Sequence, residues 1–279
     1  MIGRGRGVLY QRREELTEEN KFDTILYSIE NKIAKVYLNR PEVHNAFNEV
    51  MIAELTDVFI RITKDDEVRV VVLTGKGDSF CAGADLNWMK RMINFSYEQN
   101  LEDSLKLAEL FYLMYSLPKP VIAAVNGAAI GGGTGLVAVC DIAIASENAK
   151  FSLSEVKLGL VPACISPYVI RKVGEGRCRE FFLTGERLSA KKALELGLAN
   201  QVVTADQLDQ AVQEKANQLL SSGPKAIAMC KELLKNVPGM SFEKAKTYTA
   251  EMIASMRIGD EGQEGMSAFL EKRKPKWTV

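Results

Sequence analysis

One histidine, His44, stands in the whole chain of 279 residues. Metal motifs built on two or three His ligands are therefore absent, and a Ser-His-Asp triad would have to rest on that one imidazole. No G-x-S-x-G segment offers an elbow serine for it either. Net charge is equally lacking, because 36 Lys and Arg balance 36 Asp and Glu. With no global field to draw a polyanion or an anionic surface, neither nucleic acid nor a membrane is expected as a partner. The five cysteines (Cys81, Cys140, Cys164, Cys178, Cys230) are odd in number and include no C-x-x-C pair. That pattern argues against a disulfide framework or a zinc cluster and suits reduced, buried thiols of a cytoplasmic protein. No apolar run reaches the ~18 residues that a membrane span takes. Met1 to Tyr10 lacks the apolar stretch of a secretory signal. Arg4, Arg6, Arg12 and Arg13 raise the idea of an organelle transit peptide, but Glu14, Glu15, Glu18 and Glu19 follow at once, so residues 1–21 read as a solvated extension.

What is present is an ordinary globular composition, 47% hydrophobic, in a chain long enough for one large domain or one domain with an appendage. Thr24–Glu30 and Ile33–Leu38 read as paired strands around Asn31-Lys32. Val68–Thr74, Val121–Val125 and Ile142–Ala145 read as buried strands. Between them Glu49–Lys64 and Glu98–Leu117 carry helical spacing, the second stopping before Pro118 and Pro120. Strand and helix in alternation predict an α/β fold with substantial parallel pairing. The character changes after Val203: Ala205–Ser221, Pro224–Asn236, Ser241–Met256 and Gly259–Lys274 are all helical in period. The expected organisation is a mixed core over 22–203 and a helical region over 204–279.

Two strand exits are rich in small residues. Asn126 to Gly135 follows the strand Val121–Val125 and places Gly131-Gly132-Gly133 before a short helical run, Leu136–Cys140. Bare backbone there can approach a ligand, and unpaired N–H groups at a helix start favour developing negative charge. The plainer reading is a tight strand-to-helix turn in a crowded core. A dinucleotide site is a further alternative, since Gly133-Thr134-Gly135-Leu136-Val137-Ala138 fits G-x-G-x-x-A and Glu155 lies twenty residues on. The few residues left before the strand at Asp141 are too short for the crossover helix such a site uses. The second exit, Gly75 to Asp85, follows Val68–Thr74, with Asp85 placed to cap a helix starting at Leu86. Two such exits in one domain can each aim an N–H at a single oxygen, which is how an oxyanion hole is made. A third segment, Phe151 to Pro162, sets Glu155 among apolar residues. Burial would raise its pKa and suit it to carry protons near neutrality; otherwise it pairs with Lys157 or another surface charge. His44, at a turn after Asn39-Arg40-Pro41, reads as an exposed loop residue.

Together these segments resemble the crotonase, or enoyl-CoA hydratase/isomerase, family from Phe22 to the C-terminus. Its early motif is matched by Asn39-Arg40-Pro41-Glu42-Val43-His44-Asn45-Ala46, and its first oxyanion loop by Phe80-Cys81-Ala82-Gly83-Ala84-Asp85. Its second is matched by Asn126-Gly127 through Gly133, and its tail by Glu264 to Arg273. The resemblance implies a spiral of ββα units followed by a helical trimerisation region, assembled as a trimer or dimer of trimers. It implies that the N–H groups of Ala84 and Gly132 hold a thioester carbonyl and that Glu155 moves the proton. Val43, His44, Ala82, Ala84, Asp85 and Leu86 would contact CoA, with Lys272 toward the nucleotide end, of a neighbouring subunit. CoA arrives as part of the substrate, so no separate cofactor is expected. The family's hydratases carry two glutamates around the attacking water, and the first falls on Gly135 here, which leaves Glu155 alone, the pattern of the enoyl-CoA isomerases. The surroundings, Gly133–Val137 and Leu153–Pro167, are most similar to a bacterial subgroup described as methylglutaconyl-CoA hydratases of leucine breakdown. A mitochondrial relative in that direction is associated with RNA binding, but Lys191-Lys192 and Lys272-Arg273-Lys274 are short clusters that read as solvated helix ends.

Overall fold

The computed structural model describes residues 22–278, so the extension read at residues 1–21 lies outside the described residues. β1 (Ile25–Glu30) and β2 (Ile33–Leu38) form the expected antiparallel pair, with Glu30 opposite Ile33. Asn31 and Lys32 between them are both left-handed (φ 50° and 64°), as a two-residue hairpin turn requires. Helix α1 (Glu49–Lys64) follows, capped by the Asn48 side chain on the Met51 amide, and buries Met51, Ile52, Leu55, Val58, Phe59 and Ile62 on one face.

From there the chain repeats a strand, strand, helix unit. β3 (Val70–Gly75) leads to β4 (Ser79–Cys81) and then to α2 (Leu86–Met92) and α3 (Tyr97–Ser116). β5 (Val121–Val125) leads to β6 (Ala128–Ile130) and α4 (Gly132–Val139). β7 (Ile142–Ser146) leads to β8 (Lys150–Ser152), a 3-10 turn and helices α5 (Ser166–Val173) and α6 (Glu175–Thr184). β9 (Arg187–Ser189), α7 (Ala190–Leu196) and β10 (Gln201–Val203) complete the core. The first strand of each unit joins a six-stranded sheet, order β1-β2-β3-β5-β7-β10, and the second joins a four-stranded sheet, order β4-β6-β8-β9. This is the ββα spiral that the resemblance implied.

Strand β5 is apolar throughout, and β3 and β7 nearly so, because helices close both faces of the large sheet. Val71 and Leu73 face the cluster that includes α1 and α3, while Val70 and Val72 face Leu208, Ala211, Val212, Ala216 and Leu220 of α8 (Leu208–Leu220). The first of the C-terminal helices is thus a cover for the core sheet. α9 (Pro224–Asn236), α10 (Phe242–Ile258) and α11 (Asp260–Leu270) follow it. Among the described residues no helix is long and apolar enough to cross a membrane.

The structure departs from the sequence reading in several places, and helices α5, α6 and α7 and strand β10 were not read at all. The whole four-stranded sheet was missed, since strands of three residues are too short for a period of two to declare itself. Helix α4 begins at Gly132 and not at Leu136. Propensity penalises glycine in a helix by about 1 kcal/mol each, but a Cβ at Gly133 would stand 2.2 Å from the Cys81 carbonyl oxygen, and one at Gly132 2.2 Å from the Phe47 ring. Close approach to neighbouring segments therefore overrides propensity here.

Candidate active site

The small sheet brings the three singled-out segments to one edge. β4, β6 and β8 are adjacent and parallel, with Cys81 beside Ala129 and Ile130 beside Ser152. Their C-terminal exits therefore emerge side by side, strands being about 4.8 Å apart. Ala84 lies three residues beyond Cys81, Gly132 three beyond Ala129, and Glu155 three beyond Ser152. Two hydrogen bonds flank Ala84: the Phe47 amide donates to the Gly83 carbonyl (2.8 Å) and the Asp85 amide to the Phe47 carbonyl (3.0 Å). The N–H of Ala84 itself takes part in neither bond. Gly132 is the first residue of α4, so its N–H is one of the four that a helix leaves without an internal acceptor.

The second and third exits are tied together. The Gly131 amide donates to the Ser152 carbonyl (2.7 Å), and the buried Thr134 hydroxyl donates to the carbonyls of Ala129 (2.7 Å) and Ser152 (3.1 Å). Gly131 takes φ 53° and ψ −121°, a conformation open to glycine alone, and a Cβ there would come 3.0 Å from Glu155 Oε1. Glu155 itself sits in the 3-10 turn Ser154–Leu158, with Oε2 buried and accepting no hydrogen bond. Burial pushes its pKa up, against a smaller pull from its own backbone N–H, and no charged neighbour contributes. The alternative reading, an ion pair with Lys157, is not what forms.

The early motif acts as a clamp on the first loop. Asn45 is fully buried; its amide nitrogen donates to the carbonyls of Lys76 (2.8 Å) and Ser79 (2.7 Å), and its oxygen accepts from the Arg40 amide. Arg40 reaches Asp85 Oδ2 at 2.8 Å and the Ala46 carbonyl at 2.6 Å. Asp85 caps α2 as expected, accepting from the amides of Asn87 (2.7 Å) and Trp88 (3.2 Å). Burial would raise its pKa, but the bonds from Arg40 and those two amides outweigh it and hold the carboxyl below the usual range. Val43 and His44 sit beside the same loop: the Ala82 amide donates to the His44 carbonyl (3.0 Å), and His44 Nδ1 is 3.1 Å from the Ser79 hydroxyl. His44 is exposed and left-handed (φ 54°), and Leu86 is 73% exposed at the mouth of the loop. Lys272 stands apart. It is exposed in a left-handed turn after α11, and no hydrogen bond or ion pair among the described residues joins its side chain to the other candidates.

One neighbour was not legible in the sequence. Gly135 lies one helical turn beyond Gly131 on the same face of α4, and a Cβ there would be 2.2 Å from Ile165 Cγ2 and 3.2 Å from the Phe111 ring. The position on which, by the resemblance, a first hydratase glutamate would fall is closed by the Ile165 side chain, thirty residues away. Two cavities elsewhere, about 130 Å³ between α3 and α9 and about 370 Å³ among α9, α10 and α11, are lined by none of the candidate residues.

The family model for enoyl-CoA hydratase/isomerase matches residues 28–279. The chain is 35% identical over 255 residues to the crotonyl-CoA hydratase of Syntrophomonas wolfei, covering 91% of this chain and 97% of that protein. It is 35% identical over 256 residues to the short-chain-enoyl-CoA hydratase of Clostridium acetobutylicum, with coverage of 91% and 97%. The crystal structure of an enoyl-CoA hydratase from Shewanella pealeana superposes with a TM-score of 0.90 at 43% identity, over 92% of this chain and 97% of that one. Three parallel strand exits converging on one edge, in a ββα spiral matched along nearly its whole length, place this chain in the enoyl-CoA hydratase/isomerase family, the crotonases.

Proposed function

We propose that this protein is an enoyl-CoA hydratase in which the amides of Ala84 and Gly132 hold the thioester oxygen and Glu155 is the sole side-chain proton carrier. The observation that carries the reading is a half-buried carboxylate with one oxygen unsatisfied, set beside the two amide-bearing strand exits. In the reaction Glu155 takes a proton from water as the oxygen bonds to C3 of the conjugated acyl chain. The π pair of the C2–C3 double bond becomes the C1–C2 double bond of the enolate and the carbonyl π pair moves onto the thioester oxygen, where the two N–H groups stabilise it, each worth about 3 kcal/mol of barrier. The protonated Glu155 then returns a proton to C2 and the enolate collapses to the 3-hydroxyacyl thioester. CoA enters as part of the substrate, contacted by Val43, His44, Ala82, Ala84, Asp85 and Leu86, with Lys272 supplied by a neighbouring subunit of a trimer or dimer of trimers. Large apolar side chains left open on α10 and α11, Phe242, Ile258, Phe269 and Leu270, support that assembly.

Within this class 3-methylglutaconyl-CoA is the substrate we favour, on the local likeness of Gly133–Val137 and Leu153–Pro167 to that subgroup. The closed station at Gly135 supports a second reading, a Δ3,Δ2-enoyl-CoA isomerase in which Glu155 carries a proton between C2 and C4. Incubation of short, branched and dicarboxylic enoyl-CoA esters in H₂¹⁸O separates the two. Hydration places ¹⁸O at C3, with the dicarboxylic branched ester turned over fastest; double-bond migration without label overturns the hydratase in favour of the isomerase.

A further inference from the structure

The group left unexplained by this reading lies at the far end of α4. Lys172, in the last turn of α5, sends its side chain into the interior, where Nζ donates to the Cys140 carbonyl at 2.6 Å and lies 3.5 Å from the Val137 carbonyl. Both carbonyls belong to the C-terminal end of the helix whose first residue is Gly132. The nearest carboxylate, Asp141, is already engaged by Lys231 Nζ (2.6 Å) and the Val121 amide (2.8 Å), so Lys172 is held chiefly by peptide carbonyls. Burial depresses its pKa, while Cys140 and Asp141 pull the other way.

A buried ammonium without its own carboxylate is an expensive way to cap a helix, and its position has an electrostatic consequence. α4 is eight residues long, so the charge sits about 12 Å along the axis from the Gly132 amide. The side chains between, from Gly133 to Val139, are buried, and such a path screens a charge far less than water does. Ile165, the residue that leads into α5, also packs on the middle of α4, filling the space beside Gly135. We propose that Lys172 is a positioning residue for the enolate: its charge raises the potential at the Gly132 N–H, and its hydrogen bonds hold the helix that aims that amide. This rests on the oxyanion reading of Gly132 given above.

The test compares K172Q, which keeps a donor and loses the charge, with K172M, which loses both. K119Q is the matched control. Lys119 caps the C-terminus of α1 in the same way, donating to the carbonyls of Ile62 (2.6 Å) and Asp65, but across sixteen residues of helix, about 24 Å. Two quantities are read: kcat and KM for hydration of a short enoyl-CoA, and the ultraviolet absorbance of bound acetoacetyl-CoA, whose enolate carries its charge on the oxygen those amides would hold. K172Q and K172M are both expected to lower kcat about five- to tenfold with KM little changed, and to lower the enolate fraction of the bound probe. K119Q is expected to match wild type in both. Wild-type kcat and enolate fraction in K172Q would reduce Lys172 to a cap and overturn the proposal; should K172M fail to fold by circular dichroism, K172Q alone decides. A wild type that binds acetoacetyl-CoA as enolate but adds no water overturns the hydratase reading and leaves the Lys172 test intact.

Discussion

Glu155 carries an oxygen that is buried and accepts nothing, which sets both its chemistry and its cost. In the proposed role of base it must be ionised, so kcat/KM is expected to fall on the acid side through a pKa above the usual 4.5 of a glutamate. E155Q is expected to lower kcat by about 10²–10⁴ while the enoyl-CoA ester still binds, a split that isothermal titration beside kinetics would read. Stability moves the opposite way. A carboxyl whose folded pKa is raised stabilises the fold below its unfolded value and loses that contribution as pH rises through the folded value. At pH 7, therefore, E155Q is expected to melt above wild type, and the gain should vanish near pH 4; an unchanged or lower Tm at pH 7 would contradict the unsatisfied buried carboxylate. Gly135 offers a second test at the same scale. G135E forces side-chain atoms into Ile165 and is expected to lose about 1–3 kcal/mol in urea unfolding, with G135E/I165A recovering part of it. A G135E protein as stable as wild type would mean that Ile165 does not close the station. The burial of Glu155 was suggested by its apolar neighbours in sequence, whereas Ile165 carries no signal, since an isoleucine in an apolar run looks alike wherever it points.

At the scale of elements, the long ones could be read and the short ones could not. Helix α1 and strands β2 and β5 have the boundaries their periodicity predicts. The strands that position the site have three residues each, too few for any period, and they exist only because a neighbour supplies the ladder. The early motif was marked as a resemblance, but its work as a clamp, Arg40 on Asp85 across forty-five residues, became visible only in three dimensions. That clamp can be tested. D85A removes the cap of α2, worth about 1 kcal/mol, and strands the Arg40 guanidinium. Urea unfolding should show a larger loss for D85A than the cap alone explains, and R40A/D85A should cost less than the two single changes added. Because the Ala84 amide hangs from the same loop, kcat for D85A is expected to fall roughly ten- to hundredfold. Additive losses would mean that the 2.8 Å contact carries no coupling.

Over the whole molecule, the proposed assembly rests on exposed apolar surface. Phe242 is 95% exposed and Phe269 83% exposed in the single chain, on the two last helices. Light scattering is expected to return three or six times the monomer mass, and F269D/L270D to shift it downward; a wild-type monomer at micromolar concentration would overturn both the proposed assembly and the proposed role of Lys272 across a subunit boundary. By itself the sequence determined the alternation of strands and helices, the change of character after Val203, the absence of a histidine-based site and the three small-residue or carboxylate segments that resemble the crotonases. Those are properties of neighbours along the chain, where periodicity and composition act directly. Tertiary structure alone decided that the three segments leave adjacent parallel strands at one edge, that Ile165 closes the space at Gly135, and that Lys172 ends under α4. Each of these depends on residues twenty or more positions apart being brought together by burial of the sheets, and burial is non-directional: it selects which apolar surfaces are hidden without writing in the sequence which of them will touch.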